Sequence, residues 1–210
     1  MKKNKPAVTT MNCSVARVFL IAVASRAAFG PLVRYLGTVL RDFFLLQFSV
    51  KFGIRKIPIL NVDHPLDATV PFTPERVSVY LDFVAFWVRP LAYIGKRFGR
   101  KAQIRYTAEM LNQVNRCYVD AAAVYRFRMT TTKRPRYYKG HFKIIHFFDP
   151  HYLCVPSLHV IVVVLAYTFY RKAFKELGMS EEEATTLNRE LFEGAASIAE
   201  TVSSTKVLPS

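Results

Sequence analysis

The stretch from Tyr152 to Tyr170, YLCVPSLHVIVVVLAYTFY, runs for 19 residues without a formally charged side chain. A helix rises about 1.5 Å per residue, so about 20 apolar residues match the roughly 30 Å hydrocarbon core of a bilayer. His151 precedes the run and Arg171-Lys172 follow it, the layout of a hydrocarbon core with a basic stop on the cytoplasmic side. The competing reading is a buried helix of a water-soluble domain. Weaker apolar stretches lie upstream. Val15 to Ala24 is broken only by Arg17, Phe43 to Val50 is uncharged beyond Arg26, Arg34 and Arg41, and Val77 to Val88 carries only Asp82 before Arg89-Pro90. They read as short or tilted spans, or as interfacial helices whose arginines snorkel to headgroups. The N-terminal Met1-Lys2-Lys3-Asn4-Lys5 resembles the start of a secretory signal. The interruption at Arg17 favours an uncleaved first membrane helix instead. The expectation is an all-α helical membrane bundle that crosses more than once.

Charge narrows the partners. Thirty Lys and Arg against 15 Asp and Glu leave a net +15, and a 51% hydrophobic composition excludes disorder. Lipid headgroups, phosphate esters and nucleic acid are all suitable anions. Nucleic acid is disfavoured because no recognised binding motif is present and the basic residues abut an apolar run. Cys13, Cys117 and Cys154 form no C-x-x-C pair, so they suggest neither a disulfide framework nor a thiolate metal site and read as apolar residues. Leu111, Val114, Tyr118, Ala122 and Tyr125 make one stripe on a helix from about Tyr106 to Arg128. Ser180 with Glu183 is a capping box for a second helix, striped by Ala184, Leu187, Leu191, Ala195, Ile198 and Val202. Arg55 to Thr73, with Pro58, Pro65 and Pro71, reads as a loop. The expected division is N-terminal membrane-associated helices and a loop over 1–105, and a core over 106–210 that contains the most informative segment.

That segment runs from Arg126 to His159, RFRMTTTKRPRYYKGHFKIIHFFDPHYLCVPSLH. A basic cluster, Arg126, Arg128, Lys133, Arg134, Arg136, Lys139 and Lys143, leads to Pro156-Ser157-Leu158-His159 at the mouth of the apolar run. Cations and hydroxyls at a membrane boundary suit a phosphate: Arg134 offers a bidentate fork, Ser157 a hydroxyl donor and His159 a proton for a leaving oxygen. The plainer alternative is a positive flank that contacts anionic lipid. His146-x2-Asp149-x-His151 has the residue types of a substitute dyad or a metal site, but Asp149-Pro150 reads as a turn and no metal is expected.

Arg134-Pro135 followed by Pro156-Ser157-Leu158-His159 resembles the first two signatures of the type 2 phosphatidic acid phosphatase superfamily, K-x6-R-P and P-S-G-H, which precede a third, S-R-x5-H-x3-D. Leu158 in place of Gly is similar to the branch containing inositol-phosphoceramide synthases. The resemblance covers about 35 residues. It implies a helical membrane bundle in the plasma membrane that hydrolyses or transfers a phosphate ester of a lipid without a metal or other cofactor. Arg134 and Ser157 would hold the phosphate, with Lys133, Arg126 and Arg128 beside them, and His159 would be the catalytic general acid. Two departures stand out. Phe127 occupies the place of the first signature's Lys, flanked by Arg126 and Arg128, either of which would substitute after a one-residue shift. In the family, a His of the third signature attacks phosphorus and an Asp orients it, whereas the 51 residues after His159 contain neither His nor Asp. Two readings follow: a family member incomplete at its C-terminus, or a non-catalytic membrane protein that binds anionic lipid headgroups.

Overall fold

The computed structural model describes Met11, residues 13–133, Tyr137 and residues 139–205, without the side chains of Leu66 and Ile144. Of the residues singled out above, Met1 to Lys5, Arg134, Pro135, Arg136 and Lys206 to Ser210 lie outside the described residues. The chain is mostly helical.

α1 (Val15–Ala24) and α2 (Arg26–Thr38) are separated by Ser25, whose extended backbone interrupts the helical hydrogen bonds. A π-helical segment, Val39–Leu45, continues into α3 (Leu46–Lys51), and α1 is bent by 107° from the rod formed by Arg26–Lys51. After β1 (Ile59–Asn61) and two short 3₁₀ turns come α4 (Val77–Leu81) and α5 (Phe83–Phe127).

α5 is folded back on itself at Gly99, whose φ of 88° lies in the left-handed region that glycine adopts without a Cβ penalty. The two arms approach closely. A Cβ built on Gly95 would stand 2.1 Å from Gln103 Oε1, so only glycine lets that amide lie across the first arm. Trp87, Val88 and Leu91 of the first arm consequently line the same small void as Thr107 and Leu111 of the second.

This hairpin is the centre of the bundle. α1 and α2 pack on it from one direction and α7 (Leu158–Glu176) from another, with α8 (Glu181–Thr205) closing over α7 and α4. Phe86, Ile94, Met110, Val114, Val162, Tyr170, Phe174, Leu191 and Ile198 are fully buried where these helices meet. Hydroxyls pin the layers together: Tyr170 donates to Trp87 O at 2.5 Å, Tyr106 to Glu176 at 3.0 Å and Tyr93 to Glu183 at 2.6 Å. The Tyr106–Arg128 stripe is buried at Leu111, Val114, Ala122 and Tyr125, and the α8 stripe at Leu187, Leu191, Ile198 and Val202. One half of the capping box is made, Glu183 N donating to Ser180 Oγ at 3.3 Å, while the Glu183 carboxylate turns to Tyr93 and Arg97.

The best membrane candidate moves. The helix containing the 19-residue run begins only at Leu158. Tyr152 to Ser157 are not helical, and the 13 residues from Leu158 to Tyr170 rise about 20 Å, short of a hydrocarbon core. Among the described residues, Pro74–Phe127 is the helical segment long and apolar enough to cross a membrane, and the bent pair Val15–Ala24 with Arg26–Lys51 passes only when taken together.

The apolar stretch from Val77 to Ile94 carries just two charges, Asp82 and Arg89, and Arg89 does not snorkel. It turns inward, its Nη1 donating to Asp82 Oδ2 at 2.6 Å and its Nη2 to Oδ1 at 2.5 Å. A fork-to-fork pair leaves no net charge in the apolar arm.

A small sheet lies at one end of the bundle. β1 pairs in parallel with β2 (Met129–Thr131) in the register Ile59↔Met129, Leu60↔Thr130 and Asn61↔Thr131, and Leu153 bridges to the far edge of β2 at Thr130. The Arg55 to Thr73 loop therefore contains a strand. Its three residues are too few for a readable alternation, and its partner lies 70 positions downstream.

Candidate functional site

The turn that leads into α7 is built on Thr130. Thr130 N donates to Tyr152 O at 3.0 Å, Cys154 N to Thr130 O at 3.3 Å, and Val155 N to Thr130 Oγ1 at 2.7 Å. Tyr125, at the end of α5, donates its hydroxyl to Pro156 O, and Gln47 of α3 accepts from Tyr152 N at 3.1 Å. Tyr125, Leu153 and Leu158 share an apolar cluster with Leu46 and Met129. The segment that runs toward Arg134 and the segment that carries Pro156 to His159 are thus laid side by side, although 25 residues separate Thr130 from Val155.

The expected site residues among the described ones are placed as follows. Ser157 is the N-cap of α7 with extended backbone, and its carbonyl accepts from Ile161 N at 3.0 Å. Its hydroxyl makes no cap bond. Ser157 Oγ is buried and has no hydrogen-bond partner among the described residues. An unpaired buried hydroxyl costs about 1–3 kcal/mol, and a ligand oxygen placed there would recover it. Lys133 is exposed, anchored by its backbone N–H to Asp63 Oδ1 at 2.7 Å, and that hydrogen bond holds the Asp63 carboxyl below its ordinary range. Arg128 is exposed and stacks over the Phe127 ring at 5.8 Å. Arg126 serves a different surface: its Nη2 donates to Asp42, which also takes Arg41 Nε at 2.9 Å and Nη2 at 2.7 Å. It faces the π-helical segment, so Arg128 and Lys133 are the described cations with open side chains along this strand.

His159 sits in the first turn of α7 against two rings, Tyr80 at 4.7 Å in a stacked arrangement and Phe83 at 4.3 Å. Removal from water pushes its pKa down from 6.5 to about 4. The imidazole is neutral near pH 7, so it donates a proton to a leaving group only if an arriving phosphate dianion first raises that pKa. The same burial gives a stability signature. As pH falls from about 6.5 to about 4 the unfolded chain protonates this ring and the folded chain does not, so stability is full above the window and is lost through it. The melting temperature should drop between about pH 7 and about pH 5, and the drop should shrink in His159→Asn.

Asp149 accepts from His151 N at 2.9 Å, closing the turn expected at Asp149-Pro150, and His151 Nε2 lies 3.1 Å from Thr132 Oγ1. Asp42 and Gln47 carry no local sequence signal, and Arg41 was legible only as a charge interrupting an apolar region. Asp42 meets Arg126 across 84 residues and Gln47 meets Tyr152 across 105, and no local pattern carries such a pairing. Compared with protein-family models, curated proteins and solved structures, the chain matches none.

Proposed function

We propose that this chain is a membrane-associated protein that binds the phosphorylated headgroup of a lipid at the turn between β2 and α7, without turning it over. The reading is carried by one observation: Ser157 Oγ is buried and unpaired beside the strand that delivers Lys133 and leads into Arg134. A phosphate oxygen is the acceptor this hydroxyl lacks, and the cations on the neighbouring strand supply the countercharge. The apolar arm from Val77 to Ile94, with its internally neutralised Asp82–Arg89 pair, seats the bundle in the bilayer.

A second reading, a phosphatase or phosphotransferase of the superfamily that the signatures resemble, is favoured by the strand upstream of Arg134 lying beside the turn of the second signature and by His159 two residues beyond Ser157. Residues 1–210 supply no third-signature His for the attack on phosphorus. His159 is neutral and packed under rings, and no His or Asp follows it in the sequence. Phosphate release from phosphatidic acid vesicles by the purified chain separates the two. The binding reading expects no release from wild type or from His159→Ala. Turnover by wild type that disappears in His159→Ala would establish the enzyme.

A further inference from the structure

Along the π-helical segment and α3 lies an open cleft of about 820 Å³, within the size range of ligand pockets. Its charged lining is Arg41, Arg55, Arg126 and Asp42, three cations against one anion. Its other wall is apolar, formed by Leu45, Phe48, Phe52 and Ile54. The buried Asp42 orders two of the guanidiniums by holding Arg41 and Arg126 together.

The cleft continues an exposed apolar face. Phe29, Val33, Leu36 and Leu40 recur at steps of four, three and four along α2 and into the π-helical segment, all about half exposed, while Ala28, Pro31 and Leu32 face the bundle. Leu45 belongs to both surfaces, and Phe52 and Ile54 stand out at 69% and 77% exposure. A contiguous apolar face that ends in a cationic, half-apolar trough is complementary to an amphiphile whose acyl chain lies along the face and whose phosphate lies among the arginines.

We infer that this cleft binds one anionic phospholipid drawn from the bilayer, with its phosphate on Arg41, Arg55 and Arg126 and an acyl chain against Leu45, Phe48 and Phe52. This inference rests on the bilayer setting proposed above but not on the Ser157 turn.

The test uses the full chain in phosphatidylcholine nanodiscs doped with diazirine-acyl phosphatidic acid, or with phosphatidylcholine bearing the same tag, and maps the photolabelled peptides. Labelling of 45–54 by the phosphatidic acid probe should exceed that by the phosphatidylcholine probe roughly tenfold, the equivalent of one charge-assisted hydrogen bond. Arg55→Glu should remove most of that preference. Arg55 is exposed and makes no ion pair among the described residues, so the fold should survive, and Arg55→Gln repeats the test without charge reversal. Equal labelling by the two probes, or a preference unchanged in both Arg55 variants, overturns the cleft. Labelling confined to the peptides of Lys133 and Ser157, and lost in Ser157→Ala, overturns it too while supporting the headgroup site. Labelling confined to 45–54 supports the cleft and counts against that site.

Discussion

Asp82→Ala should lower the stability of the folded chain by about 3–5 kcal/mol, the usual cost of removing one partner from a buried ion pair. Arg89 and Asp82 have side chains only 11% and 17% exposed and meet through two hydrogen bonds. Without Asp82, Arg89 keeps its charge in the most apolar arm of the molecule. The double variant Asp82→Ala with Arg89→Met should recover most of the loss, because it removes the stranded charge as well as the pair. Thermal unfolding of the three proteins in one detergent reads the effect. A single variant as stable as wild type would show that Arg89 reaches water or headgroups instead.

Tyr125→Ala should have an effect of similar size and should also impair headgroup binding. The ring is 1% exposed and fills the cluster beneath the Ser157 turn, so truncation costs about 3–5 kcal/mol. Its hydroxyl holds Pro156 O one residue from Ser157. Tyr125→Phe separates the contributions: it should cost only about 1 kcal/mol in stability while weakening binding more than its packing change explains. A Tyr125→Phe protein that binds phosphatidic acid as wild type does would show that the hydroxyl does not position the turn.

These two residues mark what could and could not be read from the sequence. Tyr125 was visible as the last member of a stripe at helical spacing, because an amphipathic helix writes its buried face into local order. Its tie to Pro156 was not, since it joins residues 31 positions apart. Asp82 and Arg89 were visible as charges in an apolar stretch, but their pairing depends on side-chain direction, and snorkelling fitted the same letters. The apolar run before Arg171 misled in a definite way. Hydropathy averages over residues irrespective of backbone, so it counted Tyr152 to Ser157 toward a helix, although those residues are spent on the edge of β2 and on the turn. The reversal at Gly99 was equally hidden. A single glycine inside a helical pattern is tolerated often enough to carry little weight, and the contact of Gly95 with Gln103 appears only after the chain has folded back.

The residue types of the proposed phosphate site were legible in the sequence, and the fold adds the contact of β2 with the turn before α7. Thr130 joins two segments that the sequence shows only as successive patches, and Ser157 emerges with an unsatisfied hydroxyl at the junction. Arg126 and Arg128 are equivalent in sequence on either side of Phe127, yet one is paired with a buried carboxylate and the other faces outward. The most direct measurement is flotation of the full chain with phosphatidylcholine vesicles containing phosphatidic acid, comparing wild type with Ser157→Ala and Arg134→Ala. Preferential binding by wild type that weakens roughly tenfold in each variant is the predicted result, one charge-assisted contact being lost each time. Binding that is indifferent to phosphatidic acid, or undiminished in both variants, would contradict the headgroup site.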